Sequence, residues 1–345
     1  MGDVFGAVVG NTALRQRLGN DILSKKLPHA IIFEGPHGTG KHTLATMAAA
    51  ALACESSDKA GAPLPCGTCI QCRKIIGGRS PDVITVGRGD KATIGVDAIR
   101  FLKEDVSIVP NDSDSKVYII EDADKMTEQA QNALLLTLEE PPAYVRFFLL
   151  CENAGLLLET IRSRAPVMRT ELLSEEEVDG YITKNDRRAA QMKLSDPQGY
   201  AELLKASGNG IGRAIELLEP KNLSPVKQRR ELATGFVTAV LHQGRAADAL
   251  TLLKSFSSKR EPLSEQLEAV SDALRDLIIL KKSDDARLIF FADRERAMEL
   301  SDKASIAVLY ELIIAVDTAR DEISKNANVR LCLFKLALSS GLIKQ

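Results

Sequence analysis

At 345 residues the chain exceeds one ordinary domain and leaves room for two or three separate cores. Hydrophobic residues at 45% and charged residues at 27% exclude a globally disordered chain, and a formal charge of −2 excludes a whole-chain basic footprint, so contact with nucleic acid needs a local patch or partner subunits. Met1-Gly2-Asp3-Val4-Phe5 lacks the basic start and apolar core of a signal peptide, and no apolar run approaches the ~20 residues that span a bilayer, so a cytoplasmic setting is expected for the six cysteines.

The first half alternates short apolar runs with helical patterns, as a parallel α/β sheet does. Ala30-Ile31-Ile32-Phe33 is a buried-strand candidate, followed by a glycine-rich turn and the helical stretch Thr43 to Ala53. Val83-Ile84-Thr85-Val86, Val117-Tyr118-Ile119-Ile120 and Phe147-Phe148-Leu149-Leu150 are further strands, each apolar enough to be covered on both faces. Helices are predicted between them over Val96–Glu104 and Thr127–Glu139, the second ended by Pro141-Pro142. The expected first domain is an αβα unit over residues 1–168.

Beyond residue 168 helical periodicity takes over. Ser174 followed by Glu175, Glu176 and Glu177 reads as a helix start, a serine cap with acids in the first turn. A small helical unit over 169–220 is expected to end at a linker marked by Glu219-Pro220 and Ser224-Pro225. The remainder, 221–345, reads as an all-helical domain with amphipathic stretches at Leu263–Lys281, Ile306–Arg320 and Val329–Leu342.

Gly35-Pro36-His37-Gly38-Thr39-Gly40-Lys41 lies between a predicted strand and a predicted helix, the setting a phosphate loop requires. Glycines let successive N–H groups turn toward phosphate oxygens, the helix N-terminus adds positive potential, and Lys41 reaches the terminal phosphates. A chance glycine turn is the bland alternative, and the flanking strand and helix speak against it. After Lys41 comes His42, where a serine or threonine hydroxyl would ligate Mg2+; Thr43 is adjacent but rotated by about 100° around the helix. The second signal is the apolar strand ending in Glu121-Asp122, where a phosphate-loop ATPase holds its metal and orients water. Enzymes of this branch carry Asp then Glu; here the order is reversed. ATP binding is therefore expected and efficient hydrolysis is not.

Cys54, Cys66, Cys69 and Cys72 place two successive C-x2-C steps beside one upstream cysteine. Four thiolates at this spacing suit one tetrahedral structural Zn2+, with Cys54 folding back across a loop-like stretch from Ser56 to Pro65. Cys151 and Cys332 read as small buried apolar residues.

These features, together with Glu121-Asp122-Ala123-Asp124-Lys125-Met126, Asn132-Ala133-Leu134-Leu135, Leu138-Glu139-Glu140-Pro141-Pro142 and Thr160-Ile161-Arg162-Ser163-Arg164, resemble the clamp-loader subunits of bacterial DNA polymerase III over at least residues 5–218. The resemblance implies an AAA+ phosphate-loop domain with an inserted zinc knob, a helical lid and a helical collar. Within the family the chain is most similar to the delta-prime type, by His42, the inverted Glu121-Asp122 pair and the single collar-sized ending, with the ATP-hydrolysing gamma/tau motor type as rival. Val8, Val9 and Gly10 would then lie near adenine; Gly35, Gly38, Thr39, Gly40, Lys41, His42 and Thr43 would surround the phosphates. Arg213, in Gly210-Ile211-Gly212-Arg213-Ala214, would reach the γ-phosphate from the lid, and Asn153 is the candidate first-sensor residue. Ser163-Arg164 matches two residues of a Ser-Arg-Cys motif whose arginine reaches the neighbouring subunit's ATP; Ala165 stands where the cysteine would be. The implied partners are gamma/tau and delta subunits, with the sliding clamp and primed DNA met through the complex. A zinc-containing nucleic-acid-binding module with a vestigial phosphate loop is the alternative from another class.

Overall fold

The computed structural model describes residues 5–6, 8–56, 63–89, 91–242, 252, 254–283 and 285–339. Much of the loop expected from Ser56 to Pro65, and the end of the helix expected to reach Leu342, fall outside these residues. The chain divides into two compact units, one of residues 1–181 with 209–212, the other of 182–208 with 213–345.

The first unit is built on five parallel strands, β1 (Ala30–Glu34), β2 (Val83–Val86), β3 (Lys116–Ile120), β4 (Val145–Cys151) and β5 (Val167–Arg169), in the order β2-β3-β4-β1-β5. The four predicted strands are present. β5 was not foreseen, because three residues in an exposed, buried, exposed pattern carry no apolar run. Strand alternation divides the core into two layers. Ile31, Phe33, Val117, Ile119, Phe148 and Leu150 face one side with α1 (Thr12–Leu23) and α2 (Lys41–Leu52). Ala30, Ile32, Tyr118, Ile120, Phe147 and Leu149 face the other with α4 (Val96–Val106) and α5 (Glu128–Glu139). Each layer carries an aromatic pair at the sheet: Phe33 meets Phe148 edge-to-face at 5.6 Å, and Tyr118 stacks on Phe147 at 5.4 Å. Ala45 and Ala48–Ala51 are all buried, and these small side chains seat α2 closely on the strands.

The short α3 (Ile70–Ile76) follows the cysteine segment, and α6 (Glu159–Arg162) precedes β5. At the lower edge of the sheet Asp82, fully buried, accepts N–H groups from Asn111, Asp112 and Ser113 at 2.6–2.9 Å and so shapes the turn before β3. The predicted start of α7 (Glu175–Asn185) is a reciprocal cap, with the Glu177 N–H on Ser174 Oγ and the Ser174 N–H on the Glu177 carboxylate.

The second unit contains α8 (Arg187–Ser195), α9 (Pro197–Ala206), most of α10 (Ile211–Leu217), α11 (Pro220–Leu241), α12 (Arg260–Leu280), α13 (Arg294–Asp302), α14 (Ile306–Ser324) and α15 (Val329–Ser339). Leu263, Leu267, Val270, Leu274 and Leu277 recur at three- and four-residue steps along α12 and are buried with Phe236, Val237, Leu309, Leu312 and Val316. The expected linker at 219–225 is corrected: Pro220 occupies the first helical turn of α11, where its missing N–H costs nothing, and Pro225 is carried inside the same helix. The apolar face beyond it, Ala233, Phe236, Val237 and Leu241, anchors the helix in the core and offsets the lost backbone bond. Among the described residues no helix is long and apolar enough to cross a membrane.

Candidate nucleotide site and cysteine centre

β1 ends at Glu34, the chain turns through Gly35–Gly40, and α2 begins at Lys41. Gly38 and Gly40 hold φ angles of +82° and +81°, the left-handed region that glycine enters without strain. Gly35 is needed for a different reason: a Cβ there would lie 2.0 Å from Thr170 Oγ1. Thr170, immediately after β5, shares a 2.8 Å hydrogen bond with Thr39, whose hydroxyl also reaches the Pro36 carbonyl at 2.9 Å. On the other side Gly210 packs so closely that a Cβ would sit 3.0 Å from Gly38 Cα. The loop is thus held by Thr170 and Gly210, neither of which a phosphate-loop pattern names.

The Lys41 ammonium donates to the Gly35 and Pro36 carbonyls at 2.6 and 2.8 Å. Burial holds its pKa below the ordinary lysine value, against the opposing pull of Glu152, Asp124 and Asp122. Thr43 follows His42 in the first turn of α2. Val8 is buried in the same layer as α2, Val9 is half-buried, and Gly10 has φ +64° with room only for hydrogen, since a Cβ would stand 2.3 Å from Leu173. Asn11 then fixes the segment, its Oδ1 accepting the Glu171 N–H at 2.7 Å.

The cation end of the site departs from a magnesium arrangement. His42 Nε2 stands 3.5 Å from Glu121 Oε1, so an imidazole faces the strand-end carboxylate where a hydroxyl would face it. Asp122, in a left-handed conformation at φ +48°, pairs with Arg88 at 2.9 Å. The residues present therefore do not fit an oxygen-only Mg2+ shell of the usual phosphate-loop kind. Asn153 is engaged locally, its Oδ1 capping Gly155 at 2.8 Å. Glu34, which the sequence does not single out, accepts from Arg169 at 2.8 Å and from the Ala154 N–H at 2.9 Å beside the loop, and these bonds, the Arg169 one foremost, hold its carboxyl below the usual range.

Arg164 follows α6 and is about one-third exposed, with one guanidinium nitrogen on the Thr160 carbonyl at 3.0 Å and the other on Glu139 Oε1 at 2.7 Å. Arg213 belongs to the second unit, where it meets Glu216 at 3.1 Å.

The four predicted cysteines come together: their sulfur atoms all lie within 4.8 Å of one another. Backbone N–H groups of Cys66, Cys69 and Cys72 point at the sulfurs of Cys54, Cys66 and Cys69, each at 3.4 Å, and Gly67 at φ +71° makes the turn. The Cys69 N–H, with Thr68, holds the Cys66 thiol down to about 5, while burial pushes Cys54 and Cys72 up. Four converging thiols whose charge is met by N–H donors fit a closed tetrahedral site for a soft divalent ion. Cys151 and Cys332 are buried singly, as expected.

Sheet order, phosphate loop and strand-end carboxylates define a phosphate-loop domain of the AAA+ class. Residues 10–173 match the family profile described as DNA polymerase III, delta subunit. The chain is 28% identical to DNA polymerase III subunit delta′ of Bacillus subtilis over 329 residues, covering 93% of each protein. It is also 28% identical to the tau subunit of B. subtilis over 97% of this chain and 60% of tau, and 32% identical to the Escherichia coli tau subunit over 60% of this chain and 34% of that one. The chain is thus similar to delta, delta′ and tau subunits of DNA polymerase III, and the profile match falls on the phosphate-loop region. It spans less than two thirds of the tau subunits it matches.

Proposed function

We propose that this chain is a delta-prime-type clamp-loader subunit, a member of a cytoplasmic complex with gamma/tau and delta subunits that loads the sliding clamp on primed DNA, and that it contributes little ATP hydrolysis of its own. The observation that carries this reading is the His42–Glu121 juxtaposition at 3.5 Å, which replaces the hydroxyl–carboxylate pair of a hydrolysing site in an otherwise well-formed phosphate loop. The like-length match to a delta′ subunit supports it.

On this reading residues 1–168 form the AAA+ domain, 169–220 the lid and 221–345 the collar that joins partner subunits. Val8, Val9 and Gly10 meet the adenine, the loop and Lys41 take the phosphates, and Arg213 closes on the γ-phosphate. Arg164 serves the neighbouring subunit's ATP. Cys54, Cys66, Cys69 and Cys72 hold one structural Zn2+, which supplies folding stability and no chemistry.

A motor subunit of gamma/tau type is the second reading, supported by the match to tau along nearly the whole of this chain. Co-purification from the native cell, followed by ATPase assays of the chain alone and in the complex, separates the two. Recovery with gamma/tau and delta subunits, and turnover that resides in those partners, is expected. Recovery without loader subunits contradicts the assignment, and brisk turnover by the isolated chain transfers it to the motor type.

A further inference from the structure

The cation end of the phosphate loop carries the inference, which rests on the nucleotide reading above. Three observations bear on it. His42, in the first turn of α2, presents Nε2 at 3.5 Å from Glu121 Oε1 at the end of β3. Both side chains are about half exposed, so an ion and its remaining ligands can reach them. Asp122, the other carboxylate of the pair, is turned aside and occupied by Arg88 at 2.9 Å.

Two ligand atoms bound at ~2.0–2.1 Å in a tetrahedral arrangement stand roughly 3.4 Å apart. The His42–Glu121 separation of 3.5 Å is therefore near the span of a single shared ion. The ligand chemistry then selects the ion. Mg2+ takes oxygen ligands and gives up water reluctantly, and an imidazole offers it little. Ions further along the first-row series accept imidazole nitrogen and carboxylate oxygen together, with affinity rising from Mn2+ through Co2+ to Ni2+.

We propose that His42 and Glu121 form a mixed nitrogen–oxygen site that makes this subunit bind ATP with an imidazole-accepting divalent transition metal in preference to Mg2+. The nucleotide phosphates and water complete the shell. His42 is then a specificity-determining ligand and not simply a lost hydroxyl. A transition-metal nucleotide complex would be retained without the magnesium geometry that hydrolysis uses.

The test compares the dissociation constants of Co2+–ATP and Mg2+–ATP on the full, zinc-loaded chain by calorimetry, with zinc content measured before and after. Co2+–ATP should bind about tenfold more tightly than Mg2+–ATP or better. His42→Thr should bring the two within about twofold by removing the nitrogen ligand and restoring a hydroxyl. His42→Ser repeats the test at the same half-exposed position, and Glu121→Gln should weaken the Co2+ complex selectively. A Co2+ to Mg2+ ratio that is the same in wild type and both His42 variants overturns the cation assignment while leaving nucleotide binding intact. Failure of ATP to bind with either ion removes the nucleotide reading and the cation site with it.

Discussion

The Phe5 N–H donates to the Leu64 carbonyl at 2.7 Å, joining the segment that leads to Val8–Gly10 directly to the cysteine knob. Phe5 is fully buried in the same core layer as Cys54, Leu64, Cys72 and Val8, so the knob and the segment around Val8 share one core.

One zinc per chain is expected, and its removal should loosen more than the knob. Stripping the metal, or Cys72→Ser, is expected to raise hydrogen exchange at Phe5 and Val8 as well as at Cys66–Cys72. Elemental analysis and exchange of the same samples decide it. Zinc-free protein purified without chelator contradicts the site, and unchanged exchange at Phe5 contradicts the connection.

The isolated chain is expected to turn over ATP far below the ~10 s⁻¹ median of enzymes. His42→Thr with Glu121→Asp and Asp122→Glu should raise the rate, since it restores the hydroxyl and the carboxylate order. Steady turnover near that median by the unmodified chain would contradict a passive subunit.

Much of the first unit was legible because its signals are local: β1, the glycine turn and α2 are contiguous, and the cysteine spacing is itself a coordination pattern. What was not legible depends on partners remote in sequence. Thr170 looks ordinary until β5 pairs with β1 and sets its hydroxyl against Thr39. Gly210 reads as a lid residue, yet its missing side chain is what allows contact with Gly38. Glu139 sat within a motif run without an assigned partner until the chain brought Arg164 to it. The proline pairs near 220–225 misled for the opposite reason, since a local breaker rule was overridden by a helix anchored through Phe236 and Val237.

Gly35→Ala is expected to destabilise the first unit by about 1–3 kcal/mol, the ordinary cost of overpacking. Its Cβ would meet Thr170 Oγ1 at 2.0 Å and the Thr170 carbonyl at 3.1 Å. Thr170→Ala in the same chain should recover only part of the loss, because the carbonyl contact remains. Urea denaturation measures both. Full recovery would show that the hydroxyl alone excludes a side chain at this position.

Asp82 supplies a pH test. Burial favours its neutral form, but the N–H groups of Asn111, Asp112 and Ser113 and the Ser113 hydroxyl outweigh this and hold its pKa below the usual carboxylate value. A lowered folded pKa contributes stability above the unfolded value near ~4, and that contribution is lost as pH falls through the folded one. Asp82→Asn should therefore cost about 1–3 kcal/mol at pH 7, with the gap narrowing as pH falls below ~4 toward the lowered folded value. Denaturation of both chains from pH 7 to pH 3 reads the gap directly; a constant difference would refute the ionised role.

Arg164 tests the account most directly. Its guanidinium is oriented by Glu139 at 2.7 Å and by the Thr160 carbonyl at 3.0 Å and is about one-third exposed, and the proposed role sets it against a neighbour's γ-phosphate. Arginine fingers supply on the order of 10³–10⁵ in rate in other nucleotide hydrolases, and loss of one among several motor sites costs a loader less. Arg164→Lys should rescue poorly, because an ammonium lacks the planar fork. The measurement is clamp- and DNA-stimulated ATP turnover by complexes reconstituted with wild-type or Arg164→Ala chain, with assembly and zinc content checked in both. Lower turnover and slower clamp loading in an intact Arg164→Ala complex is the predicted result; wild-type turnover and loading would contradict it.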